Sequence, residues 1–220
     1  MSFNQLVSTQ PNSLAINNVL RKTYLLLSLT LLFSTFTAVL SMQSNAQPNF
    51  ILFLVGMFGL QFLTIALKDS KWGIVAIFAF TGFMGYTLGP ILHLFLHNFV
   101  NGMELITTAL AATGLVFFGL SAYVLITRKS FNYLGGIIAV GIMVAFMVGI
   151  GAMLFQWPLA QLLVSGAFAV FSAGYILYTT SEVMQGGETN YIIATISLYV
   201  ALFNLFTSLL RLLSAFTHKE

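Results

Sequence analysis

Seven long apolar stretches, broken only by short polar connections, fill most of this chain and leave it few ways to fold. They run Tyr24–Met42, Asn49–Leu67, Trp72–His97, Met103–Thr127, Tyr133–Phe155, Leu159–Met184 and Tyr191–Phe216. Between them lie Gln43–Pro48, Lys68–Lys71, Asn98–Gly102, Arg128–Asn132, Gln156–Pro158 and Gln185–Asn190, rich in Gly, Pro and Asn. A bilayer core of about 30 Å is crossed by about 20 apolar residues in helical form, because only a helix satisfies its own backbone where water is absent. Only 6% of the 220 residues are charged, against about 25% in soluble domains, so a water-facing surface cannot be covered. A soluble globular enzyme is excluded. The expectation is an all-α membrane protein: a seven-transmembrane-helix bundle whose short connections make consecutive helices antiparallel neighbours. Residues 1–21 read as a short polar cytoplasmic tail, with Met1–Asn18 poorly ordered, and residues 22–220 as the bundle.

The few cations set the topology. Arg21 and Lys22, Lys68 and Lys71, and Arg128 and Lys129 fall on one side if seven segments alternate; Arg211 and Lys219 fall on the other. Lys and Arg concentrate in cytoplasmic loops, so six against two places the N-terminus in the cytoplasm and the C-terminus in the periplasm. The net charge of +3 is therefore topological and implies no nucleic-acid partner. The polar leader and the first apolar run are both too long for a cleaved signal peptide, so Ser44-Asn45-Ala46 is not expected to be a cleavage site. Cysteine is absent, which excludes disulfides, thiol nucleophiles and cysteine-bound metals.

Helices in lipid associate through close packing and interhelical hydrogen bonds. Gly85 and Gly89, with Gly82 before them, form a GxxxG face on the third segment, and Ser165, Ala169 and Ala173 form a small-residue face on the sixth. Pro90 removes one backbone donor and frees the Tyr86 carbonyl, which predicts a kink unless Thr87 or another neighbour satisfies it. On the last segment Ser197, Ala201, Asn204, Ser208 and Arg211 recur at spacings of four and three and share one face. Such a stripe suits a helix at the bundle centre, either as interhelical glue or as a lining for water or ions.

Ionisable groups at membrane depth are costly, so each is a candidate. Glu104 and Arg211 lie near the outer ends of their segments and could pair, or Arg211 could reach the headgroups. His93 and His97 have metal-ligand spacing, but zinc needs further ligands, and the remaining histidine is His218 near the end of the chain. Glu182 and Glu188 flank Gly186-Gly187 as solvated hairpin carboxylates or as a gate. No Ser/His/Asp set, phosphate loop or HExxH is present, so neither an enzyme nor a cofactor is expected.

The run Gly82-Phe83-Met84-Gly85-Tyr86-Thr87-Leu88-Gly89-Pro90-Ile91-Leu92, then Ala109 to Phe117, resembles the signature of the Bax inhibitor-1 family. The stretches Gly186 to Tyr191 and Leu198 to Arg211 resemble that family's last hairpin and last helix. Gly85, Gly89 and Pro90 carry the signature. The resemblance implies seven helices with the last enclosed by the other six. It is closest to a bacterial branch that modulates the membrane AAA protease FtsH, which implies an inner-membrane protein that binds the protease and restrains degradation of other membrane proteins. The alternative it implies is a calcium or proton leak, lined by Thr179, Ser197, Asn204 and Ser208 with Glu182 at the mouth. Calcium-leak members carry a proton-sharing aspartate pair; this chain has Thr179 and Ala201 at those positions, and neither titrates. The basic partner expected on the second helix is also missing, since Asn49–Leu67 holds no Lys or Arg.

Overall fold

The structure, a computed structural model, describes residues 13–44 and 49–217. Seven α-helices make up its regular structure: α1 (Ser13–Gln43), α2 (Phe50–Ala66), α3 (Trp72–Asn98), α4 (Gly102–Thr127), α5 (Leu134–Leu154), α6 (Pro158–Gln185) and α7 (Tyr191–Phe216). Six of them are long and apolar enough to cross a membrane; α2, with 17 residues, is shorter. The segment bounds hold to within two residues everywhere except at the start of α1. Those ends have local causes. Asn49 caps α2 by accepting from the Leu52 N–H, and Asn190 caps α7 by accepting from the Ile192 and Ile193 N–H groups. Gly186 ends α6 with φ of 74°, a conformation that side chains resist, while the Gly187 N–H closes back on the Glu182 carbonyl at 2.9 Å.

The first helix corrects one expectation. It begins at Ser13, so residues 13–18 are helical rather than part of a disordered tail; residues 1–12 lie outside the described residues. Once a helix is nucleated by the apolar run that follows, each added residue gains a backbone bond without a new nucleation cost, and two Asn are too weak a signal to stop it. At 1.5 Å per residue, the 31 residues of α1 span about 46 Å, well beyond an apolar core of about 30 Å.

The glycine face of α3 lies on α1, and this is the most extensive helix pair in the bundle. A Cβ added at Gly85 would collide with the Ser34 carbonyl and the Thr37 hydroxyl and would sit 2.7 Å from Ser34 Oγ. At Gly89 it would fall 2.6 Å from the Ala38 carbonyl and 2.6 Å from Ser41 Cβ. Only the missing side chains let the two backbones approach so closely. Pro90 is buried inside α3, which continues through it to Asn98. The Thr87 hydroxyl donates to the Met84 carbonyl at 2.9 Å rather than to that of Tyr86.

The remaining helices assemble around this pair. α2 runs antiparallel to α3, with Leu67 beside Gly73 at one end and Gly56 beside Phe83 further along. α4 packs on α6, α7 and α3, and α7 lies against α1, α2, α3, α4 and α6. Twelve of the 26 residues of α7 are buried, against three on α5, which packs on α6 and presents Ile137, Val140, Met143, Val144 and Met147 outward. Large apolar side chains also cover the outer faces of α1 and α2, including Leu25, Leu29, Leu32, Phe36, Val55 and Phe62. Such a surface is stable against lipid and not against water.

The glycine seam gives a signed prediction. Gly85→Ala is expected to destabilise the bundle by about 1–3 kcal/mol through overpacking against the α1 backbone. Gly114→Ala, where a Cβ meets nothing within 4 Å, is expected to be neutral or stabilising by up to about 1 kcal/mol. Unfolding in mixed micelles, monitored by circular dichroism, measures both; equal effects would contradict a close seam.

Candidate functional site

Two polar assemblies each join several helices or connections of the bundle. The first is a junction of three helices centred on Tyr199, 1% exposed and enclosed by Phe80, whose ring lies 5.8 Å away edge-on. Its hydroxyl lies 2.6 Å from Ser34 Oγ on α1 and donates to the Thr81 carbonyl on α3 at 3.2 Å. A phenol has one proton, so with that proton on Thr81 the Ser34 hydroxyl must be the donor to Tyr199. The same Ser34 lies under Gly85. Close backbone approach by α3 thus brings α1, α3 and α7 within reach of one side chain.

The second assembly gathers three connections at one end of the bundle. Asn190, before α7, donates from its side-chain amide to the Lys68 carbonyl at 3.2 Å and to Asp69 Oδ1 at 2.9 Å, tying the α6–α7 turn to the α2–α3 turn. Glu188 Oε1 accepts from the Asn190 N–H at 2.7 Å and braces the same turn. Ser181 on α6 accepts from the Phe131 N–H at 2.8 Å, and Gln185 donates to the Arg128 carbonyl at 2.8 Å, fixing the α4–α5 connection to α6. On α1, Lys22 lies over the Tyr191 ring, 5.5 Å from its centre. All six cations counted on one side, from Arg21 to Lys129, therefore belong to α1 or to connections joined at this end.

The expected site residues are distributed differently from a single lining. On α7, Ala201 and Ser208 are buried, Ser197 and Asn204 are half-buried, and Arg211 is exposed. Ser197 Oγ accepts from the Tyr175 hydroxyl at 3.3 Å, an α6–α7 link of the kind expected for interhelical glue. Buried beside the stripe are Leu198, Tyr199, Leu202, Leu205 and Phe206. Apolar side chains gain nothing by leaving lipid for the interior, so polarity does not sort the faces of a membrane helix as it does in water. Thr179 is buried on α6 with its hydroxyl unpartnered, and Glu182 is half-buried beside Gly187. Arg211 lines a cleft of about 620 Å³ between α3, α6 and α7, at the opposite end of the bundle from those six cations, with Asn98, Gln161 and Ser214 among apolar walls. His93 and His97 stack at 4.0 Å, and among the described residues no three His, Asp or Glu come together as a metal site.

Sequence reasoning passed over the Tyr199–Ser34–Thr81 junction. A signal was present: Thr30, Ser34, Ala38 and Ser41 repeat at helical spacing on α1, small enough to receive the α3 glycines and polar enough to bond across the seam. Tyr199, a lone phenol amid apolar neighbours, marks the other side.

Fold, surface and polar junctions together define a polytopic helical membrane protein without the geometry of a catalytic centre among its described residues. A family model described as "Inhibitor of apoptosis-promoting Bax1" matches residues 16–218, and the chain belongs to the Bax inhibitor-1 family. It is 50% identical over 202 residues to the Modulator of FtsH protease YccA of Escherichia coli K12, covering 91% of each chain. Identity is also 50% over 209 residues to a Pseudomonas aeruginosa protein, 94% of each. It is 36% over 215 residues to a membrane protein of Vibrio cholerae, with 97% and 96% of the two chains covered. The chain is thus a multi-pass bacterial inner-membrane protein of the YccA-like branch.

The junction makes a prediction. Tyr199→Phe keeps the packing and removes both polar contacts, and is expected to cost about 0.5–1.5 kcal/mol of stability. Ser34→Ala added to Tyr199→Phe should cost clearly less than Ser34→Ala alone. Strict additivity in a double-mutant cycle would show that the two hydroxyls do not interact.

Proposed function

We propose that this protein binds an FtsH-type membrane AAA protease and restrains its action on other membrane proteins. The observation that carries the reading is the 50% identity, over 91% of each chain, to a protein named as the modulator of that protease. Near-complete coverage argues for a shared whole-chain activity rather than a borrowed segment.

The architecture in this reading is seven spans with α7 at the centre, the N-terminus cytoplasmic and the C-terminus periplasmic. Contact of α7 with five other helices supports its central place, and the gathering of six cations at the α1 N-terminal end supports the orientation. The short α2 crosses as well: it lies antiparallel along α3, and about 25 Å of helix suffices where flanking side chains or local thinning of the bilayer make up the difference. The segment preceding α1 is then the cytoplasmic handle that an ATP-driven protease grips. Behind the handle stands a bundle whose extraction would expose backbone polar groups to hydrocarbon and break the α1–α3 seam and the Tyr199 junction. A substrate that is gripped but yields slowly occupies the machine, and other membrane substrates wait. The leak reading draws no comparable support, since the α7 stripe does not close a lining by itself and Thr179 and Ala201 supply no titrating pair.

In proteoliposomes holding FtsH and a second membrane substrate, adding this protein is expected to slow loss of that substrate severalfold; an unchanged rate would refute the proposal. Deleting residues 1–12, which leaves α1 whole, is expected to lengthen the protein's lifetime in cells containing FtsH. An unaltered lifetime with FtsH still co-purifying would remove the handle from the mechanism and leave the binding.

A further inference from the structure

Six buried hydroxyls on these helices satisfy themselves. Thr30, Thr64, Thr81, Thr113, Ser165 and Thr195 each donate to a carbonyl three or four residues back in the same helix. In hydrocarbon that bond is always within reach and leaves no donor unpaired. Five others are more than nine-tenths buried with no partner: Ser41 at 0% exposed, Thr23 and Thr180 at 1%, Ser121 at 3% and Thr179 at 4%; of these Ser41 stands apart, under Gly89 in the α1–α3 seam. The Tyr24 phenol is likewise enclosed without a partner.

Thr23, Ser121, Thr179 and Thr180 lie at one depth. Gln185 is bonded to the Arg128 carbonyl, which aligns the ends of α6 and α4. Counting inward at 1.5 Å per residue, Thr179 and Thr180 lie about 8–9 Å along α6 and Ser121 about 10 Å along α4. Thr195, about 8 Å along α7 from Asn190, donates to the Thr23 carbonyl at 3.3 Å and brings α1 to the same level. Tyr24 follows Thr23, and its ring lies 6.0 Å from that of Phe117, one helical turn deeper on α4 than Ser121.

We propose that this layer, bounded by Thr23 and Tyr24 of α1, Ser121 of α4 and Thr179 and Thr180 of α6, is an internal water site. Hydroxyls both donate and accept, and a buried water makes about three hydrogen bonds, so unpartnered hydroxyls at one level on three helices suit water. A divalent cation calls for carboxylate or carbonyl oxygens in larger number. Water enters from the cation-rich end, about two helical turns away, and the layer beneath it, with Ile176 and Leu198 wholly buried, is dry. This internal hydration is independent of any protease partner.

The chain has no cysteine, so each single-cysteine variant carries one thiol. In nanodiscs, Thr179→Cys and Ser121→Cys are expected to react with a small water-borne methanethiosulfonate at least tenfold faster than Ile176→Cys, which lies about one turn deeper on α6. Rates equal to that of Ile176→Cys at both positions would overturn the proposal; if Thr179→Cys does not fold, Ser121→Cys carries the comparison alone. Thr179→Val, which keeps the shape and loses the hydroxyl, gives a second reading. A lowered melting midpoint is the outcome expected of a wet layer, and an unchanged or raised midpoint would contradict it.

Discussion

The close approach of α3 to α1 is the constraint from which the rest of the bundle follows. Lipid offers helices no hydrophobic reason to associate, so affinity must come from van der Waals contact at short range and from the few polar groups that short range brings together. Gly85 and Gly89 supply the range. Ser34 lies under Gly85 and bonds to Tyr199, and Tyr199 bonds onward to α3 at Thr81. A Cβ at Gly85 would push α3 off Ser34 and disturb the Tyr199 junction that α1, α3 and α7 share.

At the cation-rich end a different economy holds. Connections there meet water, so side chains rather than glycines join the helices: Asn190 across to Lys68 and Asp69, Gln185 to Arg128, Ser181 to Phe131. Asn190 serves twice, capping α7 with its oxygen and tying the α2–α3 turn with its nitrogen. Between this polar rim and the Tyr199 junction lie the unpartnered hydroxyls of Thr23, Ser121, Thr179 and Thr180.

Much of the fold was legible in the sequence because the physics of a bilayer is severe. Helix number and bounds follow from apolar runs, and the alternation of cations agrees with the connections that the structure ties together. The GxxxG face was legible too, although its partner on α1 was not, since small residues spaced by four announce a contact without naming its other half. Two readings went differently. The polar leader concealed the first turns of α1, because a few Asn residues cannot halt a helix already nucleated. The α7 stripe from Ser197 to Arg211 shares its burial with Leu198, Tyr199, Leu202 and Leu205. In lipid, apolar residues are as content inside as outside, so a stripe read by polarity gives a face but not its direction.

The length of α1 and its seam with α3 together have a mechanical consequence. A pull on the N-terminal end acts along the axis of α1, parallel to the interface formed by Gly85 and Gly89. Loaded in this way the contacts are sheared together rather than peeled one after another, and resistance is shared by the whole interface at once. Drawn instead from its C-terminal end, the same molecule would present α7 first, held by α6 and by four further helices. Grip and direction, and not stability alone, would then decide how stubbornly the protein yields to a motor.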